Sequence, residues 1–139
     1  MNRSDLQQLA DVRIAEASAL LACDPSMPDG AYNLAGYAVE CALKACIAKL
    51  TNQHDWPDKS FVTKSHTHDL KVLMELAGLE LARKSDAVAN VAFGSNWEVV
   101  KDWSERSRYE RHTFADARKF VDAIIHQTDG VLPWIKARW

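Results

Sequence analysis

The chain has 139 residues, of which 47% are hydrophobic and 26% charged, a size and balance that fit one globular domain over residues 1–139 and exclude disorder. Its formal net charge of −2 supplies no long-range positive field, so any contact with nucleic acid has to come from a local patch. The opening MNRSDLQQLADVR lacks the apolar core of a secretory signal, and no later stretch is apolar enough to span a bilayer. The expected address is therefore the cytoplasm, with no membrane role.

A first helix is expected to begin after Ser4, whose hydroxyl fits a Ser-x-x-Gln capping box with Gln7, and to run to about Cys23. Projected at about 100° per residue, Leu6, Leu9, Ala10, Ala17 and Leu20 share one face, with Arg13 in its midst. A guanidinium in that stripe needs a carboxylate, several carbonyls, or a route out to water. DPSMPDG cannot continue a helix, and a second one is expected from about Ala31 to Leu50. It collects Asn33, Gly36, Tyr37, Glu40 and Lys44 on one narrow side, while Leu34, Ala35, Ala38, Ala42, Ala45 and Cys46 cover much of the rest. That distribution predicts a central helix. Its polar stripe has two readings: a solvated edge in which Glu40 and Lys44 form an i,i+4 pair, or a polar site in which Glu40 faces Arg13, Arg106 or Arg108.

The stretch TNQHDWPDKSFVTKSHTH carries no helical period and is expected to be a loop. A third helix starts near Asp69, places Leu70, Leu73, Met74 and Ala77 at core spacing, and is ended or bent by Gly78. A further helix is expected from Glu80 to Phe93. Asn96 is expected to cap a short turn through Trp97, Val100 and Trp103, after which SERSRYERH is too polar for a core. Thr113 then caps a last helix carrying Phe114, Ala117, Phe120, Val121, Ile124 and Ile125, with Gly130 and Pro133 breaking or kinking it near the end. Helical periodicity without strand alternation predicts an all-α fold, an antiparallel bundle of four to five helices.

The three cysteines, Cys23, Cys41 and Cys46, form no metal-binding spacing, and the last two lie on diverging faces of one helix. They are expected to be small hydrophobes in a reducing compartment. His66, His68 and Asp69 stand without a second ligand cluster, so no metal and no cofactor are expected; Asp69 instead suits the positive end of a helix dipole. His54 and His126 are expected at the surface. The segment from Arg106 to His112 is the most unusual, gathering Arg106, Arg108, Tyr109, Arg111 and His112 around the single acid Glu110. Arginines chelate phosphoryl oxygens, aromatic rings stack on bases, and a histidine moves protons near neutral pH. The alternative reading of this segment is an exposed, charged helix junction.

Three pieces, GAYNLAGYAVECALKACIAKL at residues 30–50, HDLKVLMELAG at 68–78 and WSERSRYE at 103–110, resemble the HEPN domain in kind, order and spacing, over roughly residues 5–127. The resemblance implies a bundle of four or five helices, commonly a homodimer, often encoded beside a minimal nucleotidyltransferase in toxin–antitoxin or defence modules. Many members are metal-independent ribonucleases marked by an arginine followed after four to six residues by a histidine. Arg106 and His112, with five residues between them, satisfy that spacing; the family usually has Asn, Asp or His directly after the arginine, where this chain has Ser107.

Three functions follow as expectations. The first is a binding module for nucleotide, RNA or a nucleotidyltransferase partner, using Arg108, Tyr109 and Glu110 beside Arg106, with Glu40 and Arg13 as further polar candidates. The second is a ribonuclease with Arg106 and His112 as its catalytic pair. The third is an inactive structural adaptor whose arginines serve an interface.

Overall fold

A computed structural model describes residues 1–51, 56 and 58–139. Among them the chain forms α1 (Arg3–Ala22), α2 (Pro28–Leu50), α3 (Lys59–Ser65), α4 (Leu70–Leu76), α5 (Glu80–Ala89), α6 (Val91–Val100), a 3₁₀ turn (Glu105–Tyr109), α7 (Phe114–Ile125) and α8 (Val131–Lys136), with no strand. The fold is an all-α helical bundle. Its helices outnumber the four to five expected because Asn90 divides one expected helix in two, α3 forms within an expected loop, and α8 starts anew at Gly130.

The 23-residue α2 is the axle of the bundle, packing against α1, α4, α7, α8 and the 3₁₀ turn. Ala31, Ala35, Ala38, Ala42 and Ala45 are fully buried, and their small side chains let neighbouring helices approach from several sides. Between these helices lie Val39, Leu43, Leu70, Leu73, Met74, Phe120, Ile124 and Ile135, all at most 1% exposed. Each such side chain stabilises the fold by roughly 1.5–3 kcal/mol relative to an exposed position. α1 runs antiparallel to α2: Cys46 lies in the field of Arg3 at one end, and Leu20 approaches Gly30 at the other.

Local chemistry explains where the elements differ from expectation. α1 is capped by Asn2 rather than Ser4: the Asn2 side chain accepts from the Asp5 amide at 3.0 Å while the Asp5 carboxylate accepts from the Asn2 amide at 2.8 Å, a reciprocal box as good as the serine version. Arg13 is half-buried, not enclosed in an apolar stripe, and pairs with Glu16 at 2.6 Å on its own helix. α2 starts three residues before Ala31, with Pro28 in its first turn, where a missing N–H is harmless. The expected loop after α2 contains α3, which Asp58 caps through the Phe61 amide at 2.9 Å. Residues 52–55 and 57 of that stretch, His54 included, lie outside the described residues.

α4 is close to expectation. Asp69 accepts from the Lys71 and Val72 amides, and Gly78 takes φ +71 after the helix, a left-handed conformation that favours glycine. The single helix expected from Glu80 to Phe93 is two, because Asn90 leaves helical geometry and its side chain accepts from the Phe93 amide at 3.2 Å to start α6. Asn96 is not a cap: it sits inside α6 and donates to the Asp129 carbonyl at 2.9 Å. Thr113 caps α7 through the Asp116 amide, but Phe114 and Ile125 are exposed rather than core. Pro133 falls within the first turn of α8 and breaks nothing.

Candidate functional site

The segment between α6 and α7 is held by three anchors. First, Trp103, 3% exposed, lies flat on Gly36 of α2; a Cβ at that position would come within 2.1 Å of the indole. Tyr37 meets the same ring edge-on at 4.9 Å between centroids. Second, the hydroxyl of the buried Ser107 donates to Oδ1 of Asn33 on α2 at 2.8 Å. Third, the His112 amide donates to Oδ1 of Asp29 at 2.5 Å, and its imidazole stacks on Tyr32 at 3.7 Å with planes 9° apart. Tyr32 in turn stacks on Phe120 at 4.0 Å. The polar stripe of α2 is thus not a solvated edge, because the Trp103–Ser107 segment and His68 cover it.

With its two ends tied to α2, the segment turns its basic groups outward. Arg106, Arg108, Tyr109 and Glu110 are all exposed on the 3₁₀ turn and its cap. The Arg108 guanidinium lies 4.8 Å from the Tyr109 ring centroid, and that ring is 78% exposed. Arg106 and Arg108 make no ion pair with any described residue. Burial pushes the Tyr37 hydroxyl above its usual range, helped by Glu40, while Arg108 opposes the shift; the arginine's field therefore reaches α2.

His112 and Arg111 occupy a different setting. They line a cavity of about 510 Å³ with the segment from Ser26 to Gly30 that opens α2. Arg111 stands 3.6 Å from Oδ2 of Asp29. The Nε2 atom of His112 is enclosed without a hydrogen-bond partner among the described residues; the Glu110 carboxylate is 3.7 Å away, beyond hydrogen-bonding range. Burial pushes the Tyr32 hydroxyl upward, with Glu110 and Asp116 adding to it. Within one chain, then, Arg106, Arg108, Tyr109 and Glu110 share the outer turn, His112 lines an open surface cavity with Arg111, and Arg106 does not line that cavity.

Two further candidates lie elsewhere. Arg13 remains on α1 with Glu16. Glu40, 4% exposed, faces neither Arg13 nor the arginines of the turn; its carboxylate accepts from Lys44 at 2.8 Å and meets His68 Nδ1 through both oxygens at 3.0 Å. The i,i+4 pair was legible in the sequence. The histidine was not, since nothing in the sequence set His68 beside Glu40. Asn33 and Asp29 were also missed, although Asn33 stands on the same helical stripe as Glu40. Cys41 and Cys46 are buried and Cys23 is exposed. Among the described residues no three His, Cys, Asp or Glu side chains converge as a metal site, and no helix is long and apolar enough to cross a membrane.

No protein-family model, curated protein or solved structure matches this chain.

Proposed function

We propose that the chain is a HEPN-like module that binds RNA or nucleotides through the turn carrying Arg106, Arg108 and Tyr109. One observation carries this reading: the turn is fastened to the core by Ser107 and His112 while Arg106, Arg108 and the open Tyr109 ring face solvent. Phosphoryl oxygens suit the guanidinium groups, and a base can stack on the exposed phenol. Because the whole chain carries net charge −2, the interaction is local and falls steeply with salt. A homodimer would set two such turns side by side, and a nucleotidyltransferase is the protein partner the resemblance suggests.

Thermal denaturation in the presence of ribonucleotides and single-stranded RNA tests the reading, since a ligand of the folded state alone raises the transition by mass action. An upward shift that disappears in Arg106→Ala and Arg108→Ala supports it. No shift with any ribonucleotide or RNA rejects it.

One observation favours cleavage as a second reading, namely that His112 lines a cavity together with Arg111. In that chemistry the imidazole takes the proton of a ribose 2′-hydroxyl, the 2′-oxygen attacks phosphorus, the bond to the 5′-oxygen breaks, and water protonates the departing 5′-oxygen. The products are a 2′,3′-cyclic phosphate and a 5′-hydroxyl, with an arginine stabilising the phosphorane. Arg106 would have to approach from a second chain. Incubating the protein with RNA in EDTA decides: cleavage lost in both Arg106→Ala and His112→Ala supports the pair, and cleavage that survives both rejects it.

A further inference from the structure

On the opposite side of the 3₁₀ turn from His112 lies a cleft of about 330 Å³, lined by His68, Lys71, Lys101, Asp102, Trp103 and Glu105 among others. Its volume falls at the lower end of the ~300–1,000 Å³ typical of small-molecule sites. Two features of the residues that line it are unusual together. His68 is oriented from behind: both oxygens of the buried Glu40 meet Nδ1 at 3.0 Å. An ionised carboxylate only accepts, so Nδ1 carries the proton and Nε2 is left as the ring's remaining hydrogen-bonding atom. The indole N–H of Trp103, a residue 3% exposed, has no acceptor among the described residues. An enclosed donor left unmatched is costly.

The charges of the cleft decide what it can hold. Lys71 is already compensated by Asp102 at 3.4 Å and Lys101 by Glu98 at 2.7 Å, and Glu105 adds a further carboxylate. A phosphate would meet three carboxylates of the lining, Asp69, Asp102 and Glu105, against the two ammonium groups of Lys71 and Lys101, so an anion has no advantage there. A neutral group rich in both donors and acceptors is matched, because hydroxyls and exocyclic amines donate to carboxylates while base carbonyls and ring nitrogens accept from N–H groups. The cleft is also continuous with the basic turn: Glu105 precedes Arg106, and the Ser104 hydroxyl accepts from the Arg106 amide at 3.4 Å.

The geometry points to this cleft as a ribonucleoside subsite, in which His68, held by Glu40, and the acidic rim take the base and sugar of a nucleotide whose phosphate lies on Arg106 and Arg108. The inference rests on the RNA-binding reading above and adds the part of the ligand that the arginines do not recognise.

The test uses the isotope-labelled full chain, titrated separately with adenosine, uridine, inorganic phosphate and a short single-stranded RNA while the His68 side-chain and Trp103 indole resonances are followed. At least one nucleoside is expected to shift both signals saturably while phosphate leaves them still. His68→Gln is expected to weaken that nucleoside at least tenfold, and Arg106→Ala to leave it unchanged while weakening RNA. If RNA binds and Arg106→Ala weakens it, yet neither nucleoside moves His68 or Trp103, the subsite is wrong and the RNA reading stands. If nucleosides move these signals but RNA does not bind, the assignment of the phosphate to the arginines fails. If nothing binds, both fail. Should His68→Gln unfold, the titrations of the unaltered chain decide alone.

Discussion

The hydroxyl of Ser107 donates to Oδ1 of Asn33 across 2.8 Å, joining the middle of an otherwise exposed basic turn to the central helix of the bundle. This bond explains how a sequence as polar as SERSRYE holds a defined shape: one small side chain turns inward while its neighbours Arg106 and Arg108 turn outward. Ser107→Ala leaves the Asn33 carbonyl without its donor and is expected to destabilise the fold by about 1–2 kcal/mol. A double-mutant cycle with Asn33→Ala, read by urea denaturation, should give a coupling of roughly 0.5–1.5 kcal/mol; additive effects would show that the bond contributes nothing.

Gly36→Ala addresses the first anchor. Its Cβ would lie 2.1 Å from the Trp103 indole, so either the ring or α2 must move, and overpacking of this kind costs ~1–3 kcal/mol or more. Loss of a comparable stability, with a changed near-ultraviolet aromatic spectrum, is the expected result. Gly94→Ala, whose added Cβ meets the Ala87 side chain at 3.1 Å, should be milder. Equal effects would mean that Trp103 does not lie fixed on Gly36.

Glu40→Ala removes the acceptor shared by Lys44 and His68. Breaking a buried pair costs ~3–5 kcal/mol, and the partial exposure of both partners reduces that to about 2–3 kcal/mol. His68→Ala, which leaves the Lys44 pair intact, should cost less. Urea midpoints of the two variants measure the order, and the reverse order would contradict the placement of Glu40 as the hub.

The cysteines give a pH signature. Burial, with Glu40 beside it, pushes the Cys41 thiol up to about 11 from an ordinary value of 9.0. Below pH 9 the thiol is protonated in both the folded and the unfolded chain and does not affect the balance. Above pH 9 the unfolded chain releases a proton that the folded chain holds until about pH 11, so stability falls across that window. Comparing urea midpoints at pH 8 and 10.5 should show a drop that Cys41→Ala reduces. At pH 8, a thiol reagent should modify only the exposed Cys23 before unfolding.

Much of the architecture was legible in the sequence because it follows from local rules. The alanine-rich, amphipathic pattern marks α2 as central, Asp69 and Thr113 mark helix starts, and Gly78 marks an end. Where an asparagine served as a cap, periodicity alone misled: Asn2 displaced Ser4, and Asn90 divided one expected helix into two. The site was less legible for a physical reason. Ser107, Asn33, Asp29 and His68 act through contacts spanning 28 to 83 positions in sequence, and each is an ordinary polar residue until the fold brings its partner to it. The charged segment stood out by composition, yet nothing in its composition could place Arg106 on an exposed turn and stack His112 on Tyr32.

The most direct test of the outward-facing basic turn is fluorescence anisotropy of a labelled single-stranded RNA with the unaltered chain, Arg106→Ala and Arg108→Ala at several salt concentrations. The account predicts saturable binding, at least tenfold weaker in either variant, with the log–log salt slope reduced by about 0.7 for each phosphate contact removed. RNA that does not bind, or that binds both variants as tightly as the unaltered chain, would contradict it.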